Sequence, residues 1–479
     1  MAPGHTRRER QHVINSKTQP CAAQVIRATR CRSACPGRDK AWVLAAAVLG
    51  STMAFVDESV VNVALPKIQA DLGTTLAAMQ WVINAYTLCM SALLLIGGAA
   101  ADRFGRRVLF LIGIITFTLA SIGCGSAPDI ATLIAARAIQ GVGAALLIPC
   151  SLAIIGAAFE EQERGAAIGI WSGASALAAG AGPLLGGWLV DHLSWRAIFL
   201  INPLLAIPTL WIAVRRLPES ADPSAHAALD WRGAALAFGG LGGLVYGLIA
   251  ASRLGWGDVS VVGALTAGAL LLLGLVLEER RSAAPMMPLR LFGSRTFSGV
   301  NLLTLFLYGA LGGAFFLLPF LLIQAHGFSA TAAGAVYLPF TLVLAVLSRW
   351  SGGLADRFGA RRPLIIGPLI AAGGFVLLAA VSGARPYWAY LGPMMVLGFG
   401  MAVTVAPLTT TVINSVKERE TGVASGINNV VAAVASLLVI AVLGTLVADS
   451  LVATARLVMS AAAALALASA AAAALTIRI

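Results

Sequence analysis

Three ionisable side chains sit well inside long apolar runs. Asp57 and Glu58 lie in the first, within Phe55-Val-Asp57-Glu58-Ser59-Val-Val-Asn62-Val-Ala-Leu-Pro66, and Arg137 lies in the fourth, within Arg137-Ala-Ile-Gln140-Gly141. A charge at the centre of an apolar span costs roughly 2.5–3.5 kcal/mol on insertion scales, so such residues pair with one another or mark function. Pro66 and Lys67 mark the far end of the first run. At a helical rise of 1.5 Å per residue Asp57 lies about 13 Å short of that end, too deep for a short acidic side chain to escape. Arg137 falls at nearly the same depth in its own run. A buried guanidinium needs a partner, because leaving it single costs several kcal/mol, and Arg137 with one of the two acids is the simplest pairing. An ion-paired carboxylate holds its charge and a merely desolvated one gives it up. A carboxylate that alternates between those settings binds and releases a proton. Adjacent helical residues point about 100° apart, so Asp57 and Glu58 cannot share a direction. Glu58 has Asn62 one turn above it, which makes a polar face; the residues alone leave open which acid carries the proton.

The second apolar run carries Gln80, Asn84, Thr87 and Ser91 at i, i+4, i+7 and i+11, one polar stripe on a helix, with Trp81 and Tyr86 beside it. Facing lipid, such a stripe is expensive; it belongs on a wet cavity or in hydrogen bonds between helices. The candidate substrate-cavity residues are therefore Asn62, Gln80, Trp81, Asn84, Tyr86, Thr87 and Gln140. In the second half of the chain Thr404, Thr409, Thr410 and Thr411 either line the same cavity or bond back to their own helix.

What must position these groups is an array of membrane helices. The chain of 479 residues is 59% hydrophobic and only 11% charged, against roughly 25% charged in a soluble domain. A span needs roughly 20 apolar residues, which places helices near 41–65, 78–101, 108–126, 130–155, 165–190, 196–214, 232–251, 259–277, 297–323, 332–354, 363–382, 388–412, 421–447 and 453–476. The net charge of +12 is not a nucleic-acid surface, because its residues alternate with the apolar runs in one register. Of the 33 Lys and Arg, Lys67, Arg196, Arg253, Arg385 and Arg456 are the ones that fall on the opposite side. That asymmetry is the positive-inside bias, and it places both termini in the cytoplasm. The organisation read from these runs is a basic, disordered cytoplasmic tail (1–40), a six-helix bundle (41–214), a linker (215–231), two inserted helices (232–277), a second linker (278–296) and a second six-helix bundle (297–479). The tail cysteines Cys21, Cys31 and Cys35 have no CxxC spacing, so no metal site is expected.

Two loops repeat. Gly98-Ala-Ala-Ala-Asp102-Arg103-Phe104-Gly105-Arg106-Arg107 recurs as Gly352-Gly-Leu-Ala-Asp356-Arg357-Phe358-Gly359-Ala360-Arg361-Arg362. Each joins two apolar runs, and eight spans separate them, which is six for one repeat plus two inserted helices. This G-x-x-x-D-R-x-G-R-R pattern resembles the signature loop of the major facilitator superfamily. Asp57 to Pro66 resembles the D-x-[TS]-x-x-N-x-A-L-P helix of its fourteen-helix drug:proton antiporters, with the family aspartate on Asp57; Glu58 replaces what is usually a small neutral residue. Arg137-x-x-Gln140-Gly141 resembles the superfamily's R-x-x-Q-G motif. Gly173-x8-Gly182-Pro183-x2-Gly186-Gly187 carries the full antiporter motif, and Trp195-Arg196-Ala-Ile-Phe199-Leu-Ile-Asn202-Pro203 resembles the start of helix six in the same branch.

The resemblance implies an all-α polytopic membrane protein, two pseudo-symmetric six-helix bundles plus two inserted helices, with a substrate site near midplane. It implies a monomer in the lipid bilayer of a bacterial plasma membrane that exports amphipathic drugs or antibiotics in exchange for protons, with Asp57 or Glu58 and Arg137 coupling the two. The alternative on the same fold is proton-coupled transport of a small metabolite. No nucleic acid and no cofactor beyond the proton is implied. An enzyme is not expected: four lysines exist, none in GK[ST], and neither HExxH nor GxSxG occurs. In the signature loops Gly105 and Gly359 allow a tight turn, while Asp102, Arg103, Arg106, Asp356 and Arg357 are expected to lock and release the cytoplasmic side.

Overall fold

An apolar run in lipid has no water to satisfy its amides, so it closes its own hydrogen bonds as helix. The computed structural model describes residues 37–221, 229–282, 285–351, 353–417, 420–446 and 448–477, without the side chains of 37, 38, 161, 348–350, 355 and 356. The tail to residue 36, the linker residues 222–228 and the Asp356 side chain thus lie outside the described residues. Fourteen helices among them are long and apolar enough to cross a membrane. They are α1 Gly37–Asp71, α2 Leu76–Phe104, α3 Arg106–Gly125, α4 Ile130–Ala158, α5 Glu161–His192, α6 Ala197–Arg216, α7 Trp231–Leu254, α8 Val259–Arg281 and α9 Arg295–Phe320. Then follow α10 (Ala330–Ala335 and Leu338–Ser351, interrupted by one turn), α11 Arg361–Val381, α12 Trp388–Asn414, α13 Thr421–Val442 and α14 Leu451–Thr476.

The helix pairings repeat with an offset of eight. In the first half α1 packs on α5 and α6, α4 on α2 and α3, and α3 on α6; in the second α9 packs on α13 and α14, α12 on α10 and α11, and α11 on α14. The halves meet through α5 with α10 and through α13 with α2, which are also equivalent under that offset. The inserted helices α7 and α8 pair with each other, and α7 lies against α2 and α13. Small residues set the closest approaches. A methyl group added at Gly141 of α4 would stand 2.3 Å from the Tyr86 carbonyl oxygen of α2, and one at Gly400 of α12 would stand 2.5 Å from the Ala371 nitrogen of α11.

The halves touch at the end away from the arginine-rich loops. There Asp191 of α5 accepts from the Ala330 and Thr331 backbone N–H groups of α10 (3.0 and 2.7 Å), and Gln324 Nε2 donates to Gln69 Oε1 (2.9 Å). Val63 to Pro66 on α1 and Phe316 to Leu322 after it on the α9 side are buried all round. Toward the arginine-rich end the packing loosens: a side chain added at Gly165, Gly169 or Gly173 of α5 would meet no heavy atom within 4 Å. Between α5 and α10 the halves are thus joined at one end of the cleft and part toward the other, while α2 and α13 still touch there, a Cβ at Gly426 standing 3.0 Å from Leu95 Cδ2.

Candidate functional site

Asp57 lies fully buried inside the first bundle, and its carboxylate is held by three side chains from two other helices. Arg137 Nη1 of α4 donates to Asp57 Oδ2 at 2.5 Å, Gln140 Nε2 of α4 donates to Oδ1 at 2.7 Å, and Asn202 Nδ2 of α6 donates to Oδ1 at 3.0 Å. Arg137 Nη1 also donates to Gln140 Oε1 (2.7 Å), which closes a ring of arginine, glutamine and aspartate. Ser121 of α3 supports it, accepting from Gln140 (2.8 Å) and Asn202 (3.1 Å). The remaining Arg137 surface is also used: Nε donates to the Val82 carbonyl oxygen at 3.2 Å, and the guanidinium carbon stands 4.3 Å from the centre of the Tyr86 ring. Ion pairs this dry survive only when hydrogen bonds satisfy what the pairing leaves over. Here Asn202 Oδ1 and the Tyr86 hydroxyl are the polar atoms of the cluster without a partner. Gly141 explains the geometry: with no Cβ there, α2 and α4 come close enough for Arg137 to reach α2.

Of the two acids, Asp57 is thus the one that meets Arg137. Glu58 points away, is exposed, and carries no ion pair or side-chain hydrogen bond among the described residues; the Asn62 amide donates to its backbone oxygen at 3.4 Å. Asn202 and Ser121 complete the ring and escape a search for charges, although an amide at Asn202 amid apolar neighbours is itself the signal.

The polar stripe of α2 does not line the cleft. Gln80 is buried at the contact with the second half, where its Nε2 donates to the Ile440 carbonyl oxygen of α13 at 2.5 Å. Asn84 is fully buried with both amide atoms unpartnered, and Thr87 and Ser91 donate to carbonyls of their own helix. Trp81 packs with Leu88, Val245 and Leu437 between α2, α7 and α13. Tyr86 stacks on Arg137 and Gln140 belongs to the ring. Of the seven expected cavity residues, Asn62 remains beside the cleft face. The periodicity identified a stripe; it could not tell which neighbour the stripe meets. Thr404, Thr409, Thr410 and Thr411 each bond to the carbonyl four residues back, and Asn428 of α13 donates to Asn301 and Thr304 of α9.

In the first signature loop Gly105 turns at φ +107°, and Asp102 accepts from Arg106 Nη2 at 2.7 Å. Glu219 beyond α6 caps the start of α3, taking the Arg107 and Val108 N–H groups at 3.2 and 3.3 Å. These contacts stay within the first bundle. In the second loop Gly359 turns at φ +72°, and Arg357 is exposed. In the antiporter motif, a Cβ at Gly182 would collide with Ser59 of α1, one at Gly186 would stand 2.9 Å from Val60, and one at Gly187 would stand 2.2 Å from the Ala330 oxygen of α10. Gly173 differs: it makes no close approach, so the motif's packing function begins at Gly182. Pro183 sits inside an unbroken α5, with its carbonyl oxygen against Gly334 of α10.

Residues 47–440 match the Major Facilitator Superfamily. The chain is 35% identical to the tetracenomycin C resistance and export protein of Streptomyces glaucescens, over 86% of this chain and 77% of that protein. It is 38% identical to the puromycin resistance protein pur8 of Streptomyces alboniger, over 86% of this chain and 83% of that one. A crystal structure of a bacterial homologue of the human lysosomal transporter Spinster, inward-facing and unoccupied, superposes with a TM-score of 0.64 at 18% identity, over 92% of this chain and 96% of that chain.

Proposed function

We propose, from the premise that this chain belongs to the Major Facilitator Superfamily, that it exports amphipathic drugs or antibiotics by alternating access and draws on protons to do so. Its relatives are named for export and for antibiotic resistance. The surrounding membrane is that of a bacterial cell, with the arginine-rich end and both termini in the cytoplasm. The protein works as a monomer in the lipid bilayer, catalyses no covalent chemistry, and needs no cofactor other than the proton.

The observation that carries the proton reading is the ring around Asp57. A carboxylate sealed from water and paired with Arg137 is ionised at no great cost only while the pairing lasts. A proton that reaches Asp57 leaves the guanidinium with neutral acceptors alone, the Gln140 oxygen, the Val82 carbonyl and the Tyr86 ring. Neutralising one partner of a buried pair is worth several kcal/mol, enough to shift a two-state equilibrium between the halves. One proton crossing about 150 mV releases roughly 3.5 kcal/mol, which sustains a drug gradient of a few hundred-fold.

The test is drug susceptibility together with proton release from everted vesicles, for the wild type against Asp57→Asn. Loss of drug-driven proton release in the variant is the expected result. Full proton-coupled efflux by Asp57→Asn sinks the assignment.

A further inference from the structure

Two arginines on the outer flank of the first bundle have no task in the proton reading. At the start of α3, Arg107 Nη2 donates to the Val214 carbonyl oxygen of α6 at 2.6 Å. The next residue of α6, Arg215, lays its guanidinium over the Trp211 ring, 5.3 Å from the centroid, and Trp211 meets Trp42 of α1 edge to face at 6.0 Å. A helical side chain leans toward the N-terminus of its helix. Arg215 is therefore turned back along α6, toward the membrane rather than out into water. Trp42 and Trp211 are exposed, and so are Leu204 and Ile207 farther along α6 and Val108 and Ile112 on the neighbouring α3. Exposed tryptophans sit at headgroup level. The flank is thus an apolar track on two helices, headed by an aromatic pair and two guanidiniums.

The charge at the head of that track is not matched within the protein. Neither Arg107 nor Arg215 forms an ion pair among the described residues. The carboxylates at this end of the bundle are engaged elsewhere. Asp102 pairs with Arg106 (2.7 Å), Asp39 with Arg216 (3.3 Å) and Glu163 with Lys40 (2.6 Å), while Glu219 takes the N–H groups of Arg107, Val108 and Ser220. The second half supplies the contrast. There Arg361 Nη2 donates to the Ala474 carbonyl oxygen of α14 at 2.7 Å, the counterpart of the bond from Arg107 to Val214. Leu475 and Ala471 stand where the first half has Arg215 and Trp211. Holding the last helix of a bundle therefore takes one arginine; the second guanidinium and its aromatic shelf serve something else.

We propose that this flank binds one anionic phospholipid from the leaflet at the arginine-rich end, its phosphate between Arg107 and Arg215 and its acyl chains along α3 and α6. Guanidinium forks match phosphate oxygens, and a basic pocket on membrane helices recognises an anionic headgroup. A headgroup held by both arginines ties α3 to α6, the helices that supply Ser121 and Asn202 to the ring around Asp57. The site stands apart from the cleft and needs no assumption about export or protons.

The experiment follows the melting temperature of the purified full chain in detergent. It is titrated with dioleoylphosphatidylglycerol, with dioleoylphosphatidylcholine, or with glycerol phosphate as a headgroup anion without chains. Phosphatidylglycerol should raise the melting temperature of the wild type, and the other two should not. Arg215→Gln is expected to raise the half-saturating amount of phosphatidylglycerol about fivefold, and adding Trp211→Leu should raise it further. Arg107→Gln with Arg215→Gln should abolish the response. Arg281→Gln, which removes an exposed arginine at the end of α8, should leave it unchanged. A wild-type response no larger for phosphatidylglycerol than for phosphatidylcholine overturns the proposal. An equal loss in Arg215→Gln and Arg281→Gln does so as well, since general surface charge would then account for it. So does a response to glycerol phosphate as large as that to the lipid, because the apolar track would contribute nothing.

Discussion

Arg137 and Gln140, one turn apart on α4, grip the two oxygens of a single carboxylate: Arg137 Nη1 holds Asp57 Oδ2 at 2.5 Å and Gln140 Nε2 holds Oδ1 at 2.7 Å. The spacing of three residues makes this possible, since it stacks both side chains on one face of the helix. Removing one charge of so dry a pair leaves the other uncompensated, at a cost of about 3–5 kcal/mol. Arg137→Gln is therefore expected to melt well below the wild type in detergent. The double variant Asp57→Asn with Arg137→Gln should regain most of that loss, because two neutral amides bury easily when bonded. It should still release no protons in everted vesicles. A double variant that is stable and pumps would remove the ion pair from the mechanism.

Asn202 offers a finer test of the same ring. Its amide donates to Asp57 Oδ1 and to Ser121 Oγ, and a hydrogen bond to a charged group contributes about 1.5–3 kcal/mol. Asn202→Leu should reduce drug resistance several-fold while the protein still inserts and folds, and Asn202→Ser should fall between. Unchanged resistance in Asn202→Leu would mean that Arg137 and Gln140 suffice to hold Asp57.

Two loop acids, Asp129 and Asp258, should contribute nothing to pH dependence in the physiological range. Asp129 is held below the usual carboxylate range by the Thr132 N–H that it caps, and Asp258 by the Ser260 hydroxyl and N–H. A carboxyl lowered on folding contributes stability above its unfolded pKa of about 3.9, and that contribution fades only as the pH falls through the lower folded value. Asp129→Ala should therefore lower the melting temperature equally at pH 6 and pH 8. A difference between the two would show that Asp129 titrates in that window.

Much of this could be read from residue order alone. Hydropathy gives the number of spans, because lipid admits few alternatives to helix, and the two glycine turns at Gly105 and Gly359 fix the repeat. The pairing of Arg137 with an acid of α1 follows from depth and from the cost of a lone charge. Which acid it takes does not follow: Asp57 and Glu58 differ by one residue of rotation, and that rotation is set by how α1 sits against α4 and α6. Gln80 shows the same limit, since a period of 3.6 defines a face without naming the helix opposite, here α13. The interruption of α10 near Val336 and Tyr337 leaves no mark in the apolar pattern, and its signal is instead Pro339, which has no N–H to give the Ala335 carbonyl where the first segment ends.

The antiporter motif can be divided by single methyl groups. Gly187→Ala drives a Cβ to within 2.2 Å of the Ala330 oxygen, a backbone atom that cannot step aside, whereas Gly173→Ala meets nothing within 4 Å. A helical Gly→Ala change with free space around it gains up to about 1 kcal/mol from propensity. Gly173→Ala should accordingly keep resistance at the wild-type level, and Gly187→Ala should abolish it with the protein still present in the membrane. Equal effects at both sites would mean that close packing of α5 on α10 is not what the motif provides.

That same contact ends in a polar latch. Asp191 takes the Ala330 and Thr331 N–H groups and the Thr331 hydroxyl (2.6 Å), all across the boundary between the halves. Export requires this end of the cleft to open, so these bonds must break once per cycle. Gln69 and Gln324 face each other at 2.9 Å beside it and can report on its state: a Gln69→Cys, Gln324→Cys pair should crosslink readily in the closed form. Adding Asp191→Ala should cut the crosslink yield several-fold. Thr331→Ala should cut it less, since it removes one bond of three. A crosslink yield indifferent to Asp191→Ala would leave the seal to the glycine contacts of α5 and α10 alone.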